Sequence, residues 1–181
     1  MLTAETPTTR EDGDMTSALP PIVVMGVSAV GKTTIGSEIA RRTGGRFIDA
    51  DDLHPASNVA KMSAGIPLED ADRWPWLEKV GQALEPGVVM ACSALKRVYR
   101  DALSAHSPET FFALLHVDAD ELLARASGRE NHFMPPALLK SQLDTLETLA
   151  DDENGAVVDA DAAPEAVAAS VLAHLAGDDR A

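Results

Sequence analysis

The stretch that decides the fold is Gly-Val-Ser-Ala-Val-Gly-Lys-Thr at residues 26–33, which fits the phosphate-binding pattern G-x-x-x-x-G-K-[ST]. A short apolar, β-branched run precedes it at residues 21–25, and residues 34–42 after it have helical spacing. In a strand–loop–helix unit, backbone N–H groups and the positive end of the helix can hold a polyphosphate. The pattern predicts a nucleotide site in which Lys32 reaches the β- and γ-phosphates and the Thr33 hydroxyl faces Mg²⁺.

Composition limits the partners of the chain. Its 181 residues and 45% hydrophobic content suit one domain with a real core. A formal net charge of −14 argues against nucleic acid or an anionic membrane as a partner. A nucleotide is also an anion, so local cationic clusters are expected to meet it. Two such clusters exist, Lys96 with Arg97 and Arg100, and Arg125 with Arg129.

The ends of the chain and its cysteine content bear on its location. Cys92 is the only cysteine, so an intrachain disulfide is excluded and a reducing compartment is favoured. Neither a membrane-length apolar stretch nor a secretion signal is recognisable, so we expect a cytoplasmic protein. Residues 1–19 are polar and Pro-containing and are predicted to be a disordered leader. Residues 20–177 then form one domain, and residues 178–181 a tail.

The domain alternates strand-like and helix-like segments, which predicts parallel strands with helices on both faces of the sheet. The strands are continuously apolar rather than alternating, as expected when both faces are covered. The fold class is therefore α/β, a three-layer α/β/α arrangement around a five-stranded parallel sheet. The predicted strands are residues 21–25, 46–48, 88–92, 111–115 and 156–158. The predicted helices are residues 34–42, 57–64, 70–83, 96–104, 120–127, 137–149 and 164–175.

An aspartate cluster follows the second strand, where ligands gather in such sheets. The carboxylates of Asp49, Asp51 and Asp52 can serve the water shell of Mg²⁺ or accept a proton from an attacking hydroxyl. The alternative is a solvated turn with a helix cap, since Asp is common in both. The functional interpretation gains from the preceding phosphate loop. His54 either binds substrate or caps the turn.

Two further segments carry cations and aromatic side chains. Arg73 can grip an anionic substrate. The alternative is that Arg73 pairs with a neighbouring Asp while Trp74 and Trp76 pack in the core. Cys92 is best interpreted as a small core residue. Lys96 opens a helix with a positive charge against the helix dipole, which suggests a nearby anion unless the side chain is simply solvated.

A candidate lid spans approximately residues 125–136, where a helix is broken by Gly128 and then by two prolines. Arg125 and Arg129 are four residues apart and so share one helical face. A short, interrupted, arginine-bearing segment suits a lid that closes over a triphosphate. The alternative is an ordinary joint between two helices.

Four stretches together resemble the short-chain gluconokinases of the phosphate-loop kinase superfamily, relatives of shikimate and nucleoside monophosphate kinases. They span most of residues 22–150, and the second, third and fourth are far more specific than the loop. The stretches are GVSAVGKTTIG (26–36), FIDADDLHPASNVAKMSAGIPLEDADRWPWL (47–77), ACSALKRVYRD (91–101) and RASGRENHFMPPALLKSQLDTLE (125–147).

The resemblance implies ATP-dependent phosphorylation of D-gluconate at its terminal hydroxyl to give 6-phospho-D-gluconate, with Mg²⁺ as cofactor and a homodimer as the usual assembly. It implies that Lys32, Asp51 and Arg129 are catalytic. The implied metal ligands are Thr33 and Asp49, directly or through water. The implied substrate-binding residues are Asp51, His54, Arg73, Lys96 and His132. The implied ATP-binding residues are Gly26, Val27, Ser28, Ala29, Val30, Gly31, Lys32, Thr33, Thr34, Arg125 and Arg129.

The chain departs from the family pattern at three positions. Ala29 replaces a glycine and Val30 a small residue in the loop, but neither position supplies the lysine or the hydroxyl. We therefore expect nucleotide binding to survive with less backbone freedom. Asn131 stands where many members of the family have glycine, so we expect the mobility of the lid to differ from theirs.

Two other functions compete with this interpretation. A kinase for shikimate or a nucleotide is the nearest, but shikimate kinases generally carry Gly-Gly-Gly where this chain has Cys-Ser-Ala at residues 92–94. Nucleoside monophosphate kinases usually have a longer acceptor segment. A non-catalytic ATP-binding regulator belongs to a different class, and it would need neither an acceptor base nor lid arginines.

Overall fold

The computed structural model of the chain describes residues 19–127 and 136–177. The strands are β1 (Ile22–Met25), β2 (Arg46–Asp49), β3 (Val88–Ala91), β4 (Phe111–His116) and β5 (Gly155–Asp159). The helices of the described part are α1 (Lys32–Thr43), α2 (Ala56–Ser63), α3 (Asp70–Gln82), α4 (Arg97–His106), α5 (Ala119–Ser127), α6 (Pro136–Thr145) and α7 (Pro164–Leu175). A 3₁₀ turn, Ala50–Leu53, follows β2.

The five strands form one parallel sheet in the order β2-β3-β1-β4-β5, which confirms the predicted fold class. Side chains alternate between the faces of a strand, so β1 feeds two cores. Ile22 and Val24 pack in the core that includes α1 and α7 residues, and Val23 and Met25 pack in the core that includes α3 and α4 residues. All four side chains are at most 1% exposed. The apolar run of β1 therefore holds both helical layers.

The close approach of α1 to β2 depends on a glycine. A Cβ atom placed on Gly36 would lie 2.7 Å from the ring of Phe47, so a larger residue there would push the helix off the strand. The helix ends at Gly44, whose φ of 69° lies in the left-handed region and whose N–H donates to the carbonyl of Ala40. This packing fixes the end of β2, and with it the aspartate cluster, near the start of α1.

The predicted helix at residues 137–149 ends earlier, at Thr145. Beyond it the chain turns to the segment that precedes α4: the N–H of Glu147 donates to the carbonyl of Leu95 at 2.8 Å, and the carboxylate of Glu147 accepts from the N–H of Arg97 at 2.6 Å. Helical spacing continued past Thr145, but these longer-range hydrogen bonds replace the helical ones. The segment after α6 is therefore tied to the start of α4.

The expectation that Lys96, Arg97 and Arg100 form one cationic cluster for a nucleotide is wrong for the two arginines. Arg100 is 1% exposed and pairs with Glu153, itself 5% exposed, with Nε 2.5 Å from Oε1. Arg97 contacts two carboxylates on the surface, 2.7 Å from Asp101 and 2.8 Å from Asp152. Both guanidinium groups are engaged by carboxylates of this chain, because α4 packs against an acidic loop.

Cys92 is buried in the core, as predicted, and burial raises the pKa of its thiol to about 12. Of the described helices, none is long and apolar enough to cross a membrane. The predicted leader lies outside the described residues except at its last position, and so does most of the predicted lid.

Candidate functional site

The phosphate loop joins β1 to α1 through a backbone that turns repeatedly into positive φ. Gly26, Ala29 and Gly31 have φ values of 136°, 66° and 109°. Val27 and Val30 are 3% and 2% exposed, so these two side chains anchor the loop in the core. The anchored turns leave the backbone amides to form a concave anion site at the start of α1. Ala29 is a non-glycine residue in the left-handed region, which costs about 1 kcal/mol.

Lys32, the first residue of α1, folds back over the loop. Its Nζ donates to the carbonyl of Val27 at 2.9 Å. The N–H of Ser28 points out of the same loop and donates to Oε1 of Gln142 on α6 at 2.7 Å. The loop therefore touches the helix that follows the predicted lid, through a residue 114 positions away in the sequence.

The predicted metal ligands lie together although their strands are not neighbours, since β3 separates β2 from β1. The Thr33 hydroxyl donates to Oδ2 of Asp49 at 3.2 Å, and Oδ1 of Asp49 accepts from the N–H of Asp51 at 3.1 Å. Among the described residues no group of three or more His, Cys, Asp or Glu could hold a metal ion. One hydroxyl and one carboxylate suit Mg²⁺, which keeps several waters and is commonly shared with phosphates.

Asp51 stands beyond this pair on the 3₁₀ turn, and 81% of its side chain is exposed. Its pKa is raised, by partial desolvation and by the negative charge of Asp49, while Lys32 and His54 act in the opposite direction. The charge of Asp49 is the cause that best fits this exposure. The hydrogen bond from Thr33 to Asp49, two residues before Asp51, brings this turn close to the phosphate loop.

The ring of His54 is buried and stacked on another ring, which a residue that only caps a turn does not need. Its side chain is 6% exposed and its ring stacks on Trp76, with centroids 4.3 Å apart and 12° between the planes. The indole Nε1 of Trp76 in turn donates to the carbonyl of Ala50 at 2.7 Å. Burial lowers the pKa of His54, Arg73 adds to that effect, and Asp51 opposes it.

Arg73 and Lys96 come together on one carboxylate. Nζ of Lys96 lies 3.0 Å and Nη1 of Arg73 lies 3.5 Å from Oδ1 of Asp70. The hydroxyl of Tyr99 donates to Asp70 and accepts from Arg73. Hydrogen bonds from Tyr99 and then Lys96 lower the pKa of Asp70. The proposed pairing of Arg73 with a neighbouring Asp is therefore present, and Asp70 gathers both predicted substrate cations.

The two tryptophans of α3 differ. Trp76 is 5% exposed and lies in the core, whereas Trp74 is 44% exposed, so the alternative in which both pack in the core holds only for Trp76. Pro75 between them lies inside the helix. Trp74 instead contacts the edge of the Tyr99 ring, with centroids 5.9 Å apart. Positions two apart on a helix, such as 74 and 76, point in different directions, so the two side chains have different surroundings.

Arg125, from the predicted lid, lies at the carboxyl end of β5. Its Nη1 donates to the carbonyl of Ala160 at 3.1 Å, and its Nε donates to Glu121 at 3.0 Å. Arg129, His132 and Asn131 lie outside the described residues.

Four residues of this region were not singled out from the sequence: Asn58, Asp70, Tyr99 and Gln142. Asp70 has the pattern of an ordinary acidic first turn, and Tyr99 is one aromatic residue among several apolar positions. Asn58 carried no helical signal either, because its partner His54 lies before the start of α2 at Ala56. Gln142 carried none, since its partner Ser28 is distant in the sequence.

Comparisons with known proteins identify the relatives of the chain. A family model described as "Shikimate kinase" matches residues 28–176. The chain is 49% identical over 142 residues to the "Thermosensitive gluconokinase" of Escherichia coli (strain K12), covering 75% of each chain. It is 43% identical to the "Gluconokinase" of Gluconobacter oxydans (strain 621H), covering 87% of this chain and 92% of that one. A crystal structure of a gluconokinase from Sinorhizobium meliloti 1021 is 44% identical with a TM-score of 0.82, covering 88% of this chain and 93% of that chain.

Proposed function

We propose that this chain, which belongs to the gluconokinase family, transfers the γ-phosphoryl group of ATP to the terminal hydroxyl of D-gluconate, giving 6-phospho-D-gluconate and ADP. One arrangement carries the proposal: a hydrogen bond from Thr33 of the phosphate loop to Asp49 brings the turn that holds Asp51 beside the loop, and the cations Arg73 and Lys96 share Asp70 on α3. A polyphosphate site, an acceptor base and a carboxylate-binding pair are the three parts that this transfer needs.

The donor half acts through charge and position. The loop amides and the start of α1 bind the phosphates, and Lys32 neutralises charge on the β- and γ-oxygens as it develops. Arg125 and Arg129 of the lid segment are proposed to add positive charge around the phosphates of ATP. Thr33 and Asp49 would hold Mg²⁺, which supplies further positive charge to the phosphate oxygens when bound.

The acceptor half supplies orientation and a proton acceptor. The hydroxyl oxygen forms a bond to the γ-phosphorus while the bond to the β–γ bridging oxygen breaks, and the hydroxyl proton passes to Asp51. The Asp51 side chain is 81% exposed, so its carboxylate is open to a substrate hydroxyl. Arg73 and Lys96 are proposed to bind the carboxylate at the far end of gluconate, with His54 and His132 contacting its hydroxyls.

We also propose the oligomeric state of the protein and its location in the cell. The family resemblance supports a homodimer, which light scattering of the purified protein would test. The single cysteine is free and buried, which suits the reducing cytoplasm. Fractionation of cells that express the chain would test the location.

An ADP-release assay with D-gluconate, shikimate and nucleoside monophosphates as acceptors tests the proposal. We expect ADP release with gluconate far above that with the other acceptors. Shikimate is included because the matching family model bears that name. ATP binding without release on any sugar acid would leave a nucleotide-binding regulator as the better interpretation.

A variant pair tests the acceptor base. Asp51→Asn should lower kcat by about 10²- to 10⁴-fold, the usual contribution of a general base, with ATP affinity nearly intact. Asp52→Asn is the matched control, because Asp52 is the adjacent exposed carboxylate of the same turn. Equal turnover in the two variants would remove Asp51 from the mechanism.

A further inference from the structure

The amide of Asn58 has one orientation that its surroundings allow. Asn58 is only 2% exposed on α2, and its Nδ2 lies 2.9 Å from the backbone carbonyl of Asp72. A carbonyl only accepts hydrogen bonds, so the atom facing it is the amide nitrogen and not the oxygen. The second hydrogen of the same nitrogen is then available to its other neighbour.

That other neighbour is Nδ1 of His54, 3.2 Å from Nδ2 of Asn58. Because the amide nitrogen donates, Nδ1 accepts and carries no proton. A neutral imidazole with an unprotonated Nδ1 carries its proton on Nε2. The orientation of Asn58 therefore fixes the tautomer of His54, and with it the chemical character of the nitrogen on the other side of the ring.

Nε2 of His54 is directed towards the acceptor half of the site, 3.9 Å from Oδ1 of Asp51. This separation is too long for a direct hydrogen bond. An oxygen atom about 2.8 Å from each of them would see the two atoms about 90° apart, which suits a hydroxyl that accepts from one and donates to the other. The charged groups that influence the His54 ring are Asp51 and Arg73.

We infer that Asn58 is a positioning residue that locks His54 as the Nε2–H tautomer, so that His54 and Asp51 form a donor–acceptor pair for one hydroxyl of the acceptor substrate. His54 acts as a fixed donor and not as a base. The stack on Trp76 prevents the ring from turning away, and the bond from Trp76 to the Ala50 carbonyl holds that stack beside the turn carrying Asp51. The identity of the acceptor rests on the proposed function, whereas the tautomer does not.

Nitrogen NMR of the full-length protein with ¹⁵N-labelled histidine tests the tautomer directly. The chain has five histidines, and the His54 signals are identified as those missing from His54→Gln. At neutral pH we expect a protonated Nε2 and an unprotonated, hydrogen-bonded Nδ1, and in Asn58→Ala we expect these shifts to move towards a tautomer mixture. A protonated Nδ1 of His54 in the unsubstituted protein would overturn the inference, whether or not Asn58→Ala folds.

Kinetics of two His54 variants test the donor. The side-chain nitrogen of Gln reaches about as far as Nε2, whereas that of Asn reaches only as far as Nδ1. We expect His54→Asn to lose at least tenfold more kcat/KM for gluconate than His54→Gln, with the KM for ATP alike in both. Equal losses in two variants of equal thermal stability would overturn the donor role. Absence of gluconate phosphorylation in the unsubstituted enzyme would instead refute the proposed function, and the NMR result would still stand.

Discussion

The donor and acceptor halves of the site are built in different ways. The donor half is a contiguous loop of eight residues, 26–33, in which backbone turns form the anion site. The acceptor half is assembled from side chains of the 3₁₀ turn, α2, α3 and the start of α4, and its members are linked by hydrogen bonds between elements. The donor half comes from one short segment, and its anion site is formed by backbone groups. The acceptor half depends on how several elements pack.

The cations of the acceptor half are balanced by one carboxylate of the chain. Lys96 and Arg73 both lie on the Asp70 carboxylate. A substrate carboxylate must therefore compete with Asp70 for these two cations. This competition favours a selective acceptor half.

The largest expected effect comes from the donor half. Lys32→Met should lower kcat by about 10³-fold or more, since a preorganised charge on the transferring group contributes several kcal/mol. The fold should remain, because loop anchoring comes from Val27 and Val30. Steady-state ADP release measures the loss of kcat. The control is Lys79→Met, at an exposed position of α3. A loss of tenfold or less would mean that the loop backbone alone carries the donor half.

The next effect concerns the support behind the acceptor half. Arg100 donates to the carbonyls of Ala94 and Glu147 and pairs with Glu153, so it ties the segment before α4 to the loop after α6. Arg100→Met leaves the Glu153 carboxylate buried without its partner and should lower the free energy of unfolding by about 3–5 kcal/mol. Chemical denaturation measures it. Arg97→Met removes short ion pairs with exposed carboxylates and only a longer one, of 3.8 Å, with Glu153, so it should lower the free energy of unfolding much less. Similar losses in both variants would contradict the distinction.

The same ion pair predicts a pH dependence. Burial alone would raise the pKa of Glu153, but hydrogen bonds from Arg100 and from the N–H of Ala150 outweigh it, so the pKa is lowered. A carboxyl with a lowered folded-state pKa adds stability above its unfolded pKa and loses it as pH falls through the folded value. Unfolding curves from neutral to acidic pH should therefore show a smaller acid loss in Glu153→Gln than in the unsubstituted chain. Parallel curves would assign the acid loss to other carboxylates.

The sequence predicted the donor half better than the acceptor half for a physical reason. Residues 26–33 carry a local pattern, and the apolar strands predict a parallel sheet with its ligand edge. Asp70 could not be assigned because an acidic helix start is ordinary without knowledge that Lys96 packs against it. Gln142 meets Ser28 across 114 positions, and no local rule gives that pairing. The end of α6 was likewise decided by a distant carbonyl, that of Leu95.

A substitution in the acceptor half should separate the substrates. Arg73→Ala should raise the KM for gluconate by about 10- to 100-fold, the effect of losing a charge-assisted contact of about 1.5–3 kcal/mol. The KM for ATP should change little, because Arg73 contacts Asp70 and Tyr99 and not the loop. Arg73→Lys should recover part of the loss, since it keeps the charge without the planar fork. A matching rise in both KM values would show that the halves are not independent.

The smallest effect compares a strained alanine in each half. Ala29 in the phosphate loop and Ala94 before α4 have φ values of 66° and 43°, where glycine is preferred. Ala29→Gly should raise the free energy of unfolding by up to about 1 kcal/mol, because relief of strain exceeds the added entropy of the unfolded chain. Ala94 is 2% exposed, so Ala94→Gly also removes a buried methyl worth about 0.8 kcal/mol, which offsets the relief. Ala169→Gly, at an exposed position inside α7, should cost about 1 kcal/mol as the helical reference. Gains of equal size at Ala29 and Ala94 would mean that packing contributes no more to the acceptor half than to the donor loop.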